Sequence, residues 1–139
     1  MITFNLWAIL VSGIASMAIG AFWYSPKGFG KMWMRLQGIN PDDCKPEQMK
    51  GMAKAYILTF ISTLIIATGL NALISGFAVV GVLNGALLGA IAWFAFSLTT
   101  SLPAFFFNIK KPPVTVFFIE VGQLFVAWVV SGVIITLLK

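Results

Sequence analysis

VTVFFIEVGQLFVAWVVSGVIITLL, residues Val114–Leu138, holds a single charged side chain, Glu120. A helix that crosses a bilayer needs about 20 mostly apolar residues, and this stretch meets that length. Three more apolar stretches precede it: Leu6–Tyr24, Ala55–Ile74 and Phe77–Thr100, none with a charged residue. In lipid every backbone N–H and C=O must find its partner within the protein, which leaves helices as the economical way to span. The expected fold is all-α, an integral membrane four-helix bundle formed by one domain over residues 1–139.

Composition agrees. Hydrophobic residues make up 60% and charged residues 9%, against about 25% charged in soluble domains, so the polar side chains are too few to coat a globule. A net charge of +5 would suggest nucleic acid in a soluble protein. Here the basic residues flank apolar spans, so anionic lipid headgroups are the expected counter-charge and nucleic acid is not an expected partner. The chain has one cysteine, Cys44, and no histidine. No intrachain disulfide is possible, and the commonest metal ligand and general base are missing. Asp42, Asp43 and Glu47 read as acids favoured at a helix start rather than as a metal site. The residues suggest neither an enzyme nor a cofactor. Met1–Asn5 carries no Lys or Arg, unlike the basic start of a signal peptide, so the first span reads as a retained helix.

Eight of the nine basic residues fall in two loops. Lys27, Lys31, Arg35, Lys45, Lys50 and Lys54 lie between spans one and two, and Lys110 and Lys111 between spans three and four; Lys139 alone lies on the other side. The positive-inside rule then places both loops in the cytoplasm and both termini outside, in a cytoplasmic (inner) membrane.

Ser25-Pro26 suits a helix start, with Ser as N-cap and Pro at the first position, so a short helix is expected from there to Gly38. Lys27, Lys31 and Arg35 recur every four residues and make a basic stripe, with Phe29, Met32, Trp33 and Leu36 on the apolar side. This is the pattern of an amphipathic helix lying in the membrane interface. Trp23, Tyr24 and Trp33 would anchor at the headgroups, and Pro26 would turn the chain. Helix two is expected to begin near Pro46 and enter the membrane near Ala55. Ser75-Gly76 is the expected link to helix three, which Pro103 should kink or end.

Gly81, Gly85 and Gly89 recur every four residues in helix three, with Ala78 and Ala92 on the same face. Small residues at this spacing let helix backbones approach closely in lipid. Ser12, Ser16 and Gly20 make a shorter version in helix one. Together they suggest a parallel contact between helices one and three, or a homodimer face.

Glu120 stands out because a carboxylate at membrane depth costs a few kcal/mol when charged and unpaired. On a helical wheel it shares a face with Gln123, Ala127 and Ser131, opposite Phe118, Phe125 and Val129. The polar seam should point into the bundle, where Tyr56, Thr59, Ser62 and Thr63 of helix two, Ser97, Thr99 and Thr100 of helix three and Tyr24 of helix one fall at similar depth. Lys54 could reach inward as a partner. Two readings stay open: a proton-coupled or cation-binding site, or a protonated, hydrogen-bonded strut with Gln123.

The run Gly20-Ala21-Phe22-Trp23-Tyr24-Ser25-Pro26, with Phe29-Gly30-Lys31 and Trp33-Met34-Arg35-Leu36 after it, resembles the signature of a bacterial family of small four-span membrane proteins, domain of unknown function 1761. The resemblance implies a four-helix membrane fold and no established activity. Where members of that family carry an Asn-x-Gly-Tyr-His run, this chain reads Glu120-Val121-Gly122-Gln123-Leu124, which would make Glu120 particular to this branch. Two functions are in view: a small transporter or permease-like homo-oligomer using the membrane Glu, or a non-catalytic module that binds lipid or a partner protein. A water-accessible cavity reaching Glu120 would favour the first, and a closed, packed interior the second.

Overall fold

A computed structural model describes residues 1–43, 45, 47 and 51–139. Four helices in it are long and apolar enough to cross a membrane: α1 (Leu6–Trp23), α3 (Met52–Gly76), α4 (Val82–Phe106) and α5 (Val114–Leu137). The short helix α2 (Gly30–Leu36) lies between the first two. No strand occurs among the described residues. The expected start of helix two near Pro46 falls outside the described residues.

The last helix is the centre of the bundle. α5 packs against α1, α3 and α4, whereas α1 also meets α3 and makes no comparable contact with α4. The expected pairing of helices one and three is therefore corrected. The glycine face of α4 meets α5 instead: a methyl group on Gly85 would strike Gly132 and Thr136, and one on Gly89 the Trp128 backbone. Gly132 answers from the other side, against the Gly85 backbone. Ser12 and Ser16 on α1 are buried. The Ser16 hydroxyl lies 3.2 Å from that of Ser131 on α5, and Gly20 faces the Gln123 side chain. Gly13 accommodates Leu64 and Phe60 of α3.

Gly81 departs from its expected role. It precedes α4 with φ +90°, and a methyl group there would meet only the Asn84 side chain. The link between α3 and α4 is the turn at residues 77–81 rather than Ser75-Gly76, and Ala78 sits in that turn. α3 runs on to Gly76 and closes with the Val79 N–H on the Ile74 carbonyl (2.9 Å) and the Ala78 N–H on Ser75 (3.2 Å). This is a Schellman closure, with Ala78 in the left-handed position that glycine usually fills, at φ 50°. The apolar Phe77, Val79 and Val80 hide the turn from hydropathy.

Pro103 does not end α4, the third span, which continues to Phe106. Instead residues Trp93–Leu98 wind as a π-helix. The hydroxyls of Thr99, Thr100 and Ser101 donate to the carbonyls of Ala95 (2.6 Å), Phe96 (2.8 Å) and Ser97 (2.8 Å), so backbone acceptors loosened by the irregular winding stay satisfied within the span.

Between α1 and α2 the chain turns tightly. The Ser25 hydroxyl donates to the Phe22 carbonyl at 2.7 Å, closing the end of α1, and does not cap α2. The Phe29 N–H bonds the Trp23 carbonyl at 2.7 Å. Added methyl groups on Gly28 and Gly30 would collide with the carbonyls of Trp23 and Tyr24. The turn delays α2 to Gly30, four residues later than the Pro26 start. Gly38, at φ +75°, then ends it with the Ile39 N–H on the Met34 carbonyl (2.8 Å).

Candidate functional site

The first nine described residues of the α3 region, 51–59, are exposed on all sides. The buried residues of α3, Ala67, Leu70, Asn71 and Ile74, lie in its second half. α3 thus packs at the end carrying the chain termini and leaves the bundle toward α2. On the way the Thr63 hydroxyl lies 3.5 Å from the Gly13 carbonyl of α1. The gap that opens beyond that point is a cleft of about 550 Å³ walled by α1, α3 and α5, with α2 across one end.

The lining is mainly apolar, with Met17, Met34, Met52, Ile66, Leu124 and Trp128. Of the expected polar residues, Tyr24, Tyr56, Thr59, Thr63 and Gln123 reach the cleft. Ser62 does not: it is exposed, and its hydroxyl donates to Leu58 at 2.9 Å on its own helix. Thr59 likewise donates to Ala55, at 2.8 Å, so it faces the cleft with lone pairs. Ser16 and Ser131, joined to each other, also line it.

Glu120 stands behind this cleft rather than in it. Its Oε1 accepts the indole N–H of Trp33 at 3.1 Å, and Trp33 in turn meets Tyr24 edge-on, ring centres 5.7 Å apart. Lys54 is exposed and is not the partner. Trp23 also turns inward, its indole N–H on the Ile119 carbonyl at 3.0 Å. Both indoles expected at the headgroups therefore spend their donors on α5. A second cavity of about 300 Å³ lies on the Glu120 side, sharing Leu124 with the first. The helical-wheel reading holds for the inner face, where Ala127 and Ser131 are buried, and for Phe118, which is exposed. It fails for Val129, which backs onto Gly89.

Sequence reasoning missed Met17, Met34 and Trp128 as lining residues, since nothing local marks which apolar side chains border a gap. The pairing of Trp33 with Glu120 joins residues 87 positions apart, and only the turn at Ser25–Phe29 brings α2 over α5.

The profile of a family described as "Protein of unknown function (DUF1761)" matches residues 7–136. The chain is a DUF1761 protein. No curated protein and no solved structure matches it. In this DUF1761 chain the run from Gly20 to Leu36 thus has a structural use: it forms the turn that sets α2 over the cleft and delivers Trp33 to Glu120.

Proposed function

We propose that this protein is a small permease-like membrane protein that accepts a lipophilic small molecule in the cleft between α1, α3 and α5. The observation that carries the reading is the cleft itself: about 550 Å³ falls within the roughly 300–1,000 Å³ of small-molecule sites. Its apolar walls suit a molecule that partitions from the bilayer, and its polar residues suit one that needs a few oriented hydrogen bonds. The protein works as a homo-oligomer without catalysing a chemical step, with the α2 side in the cytoplasm of an inner membrane.

The test uses N-phenyl-1-naphthylamine, a neutral apolar fluorophore, with purified protein in detergent and in proteoliposomes. Saturable binding to the wild type, abolished by filling the cleft with Thr59→Trp, is the expected result, together with protein-dependent movement across the vesicle membrane. Binding unaffected by that substitution would sink the reading. Cross-linking in the same vesicles reports the oligomer.

A second reading, a module that holds anionic lipid, draws on α2. Lys27, Lys31 and Arg35 are all exposed, while Trp33 and Leu36 are half-buried. Each basic residue near an anionic surface contributes about 1 kcal/mol. Under this reading phosphatidylglycerol added to neutral nanodiscs raises the unfolding temperature. Replacing the three residues with Gln removes that increment and leaves the temperature in neutral lipid unchanged.

A further inference from the structure

The second cavity carries its own chemistry. Glu120, Gln37, Ser101, Asn108, Phe105 and Phe117 border its volume of about 300 Å³. We propose that it is a binding site for a small organic monocation, a primary ammonium or guanidinium group seated on the Glu120 carboxylate. This inference is independent of what occupies the larger cleft.

Three observations converge on that ligand class. First, among the described residues Glu120 has one hydrogen-bond partner, the neutral indole of Trp33 on Oε1, and no ion pair. A carboxylate has room for about four donors, and a charged donor makes a shorter and stronger bond than a neutral one. Second, the Ser101 hydroxyl donates its hydrogen to Ser97 at 2.8 Å, so its oxygen meets a ligand as an acceptor. Asn108 is held in place at the rim through its Oδ1, which takes the Lys110 N–H at 2.9 Å. Third, Phe105 and Phe117 lie together with ring centres 5.1 Å apart, offering the aromatic surface that attracts organic cations. An anion would meet the carboxylate at once. A divalent metal wants six or more hard oxygens, where this wall offers one carboxylate, a few neutral polar side chains and otherwise aliphatic and aromatic carbon.

The experiment measures equilibrium binding of radiolabelled benzylammonium to the purified full chain in detergent. Saturable binding should be displaced by unlabelled butylammonium and by guanidinium, but not by benzyl alcohol or by sodium chloride at the same concentration. Glu120→Gln should weaken binding by at least about tenfold, since a hydrogen bond to a charged group is worth roughly 1.5–3 kcal/mol. No saturable binding to the wild type would overturn the proposal. So would equal displacement by benzyl alcohol or sodium, or full binding by Glu120→Gln. The competition series needs only the wild type, so it decides the matter even if the Glu120 variant does not fold. Failure of the naphthylamine test leaves it standing, because that probe is uncharged and reads the other cavity.

Discussion

Residues that hold this molecule together do so by being small at particular places. A methyl group on Gly89 would run into the Trp128 backbone, whereas one on Gly69 meets nothing within 4 Å. Gly89→Ala should therefore lower stability by about 1–3 kcal/mol, the usual range for overpacking. Gly69→Ala should be neutral or gain up to about 1 kcal/mol of helix propensity. Denaturant unfolding in mixed micelles distinguishes the two. Ala78 offers the converse case: at φ 50° its Cβ crowds the backbone, and Ala78→Gly should raise stability by up to about 1 kcal/mol in the same assay. The glycine spacing in α4 was legible as a close-packing face. Its partner was not, because Gly132 on α5 has no regular small-residue neighbours to announce it. Gly81 completes the spacing in sequence and not in space, since the turn at Ala78 has not yet ended there.

At the scale of elements, the irregular middle of α4 is sustained by its own hydroxyls. Thr99, Thr100 and Ser101 bond backward to three successive carbonyls. A typical intramolecular hydrogen bond nets about 0.5–1.5 kcal/mol. The combined Thr99→Val, Thr100→Val and Ser101→Ala replacement should cost about 1.5–4.5 kcal/mol and speed amide hydrogen exchange around Trp93–Leu98. Hydropathy defined the four spans well because lipid imposes length and composition on each helix separately. It missed the π-helical winding and the splay of α3, which depend on how neighbours meet. The glutamate was visible as an anomaly from the first reading, but it borders a different cavity from the polar residues of α3 and Gln123 that it was expected to join. Its partner required the Ser25–Phe29 turn, whose geometry rests on Gly28 and Gly30 and not on charge.

For the whole molecule, the two ends differ in kind. At the termini, Asn5 donates from its backbone to the buried Asn71 at 3.2 Å and from its side chain to the Leu138 carbonyl at 2.6 Å, while the Lys139 ammonium reaches the Val79 carbonyl at 3.3 Å. That end is laced shut, and the α2 end holds both cavities. The basic loops predict that an impermeant maleimide added to intact cells labels a cysteine introduced at Ile2, in a Cys44→Ser background, and spares one introduced at Ile109. The reverse pattern would invert the topology.

Because α5 touches each of the other three spanning helices and follows all of them along the chain, assembly has an enforced order. α1 and α3 share a direct contact and need not wait. α4 has little to lean on until the ribosome has delivered Val114 onward. For that interval its glycine-lined flank faces acyl chains alone, a vulnerable state open to misassociation or to quality-control proteases. A chain ending at Pro113 should accordingly be inserted yet rapidly degraded, so even a late nonsense mutation would remove the whole protein from the membrane.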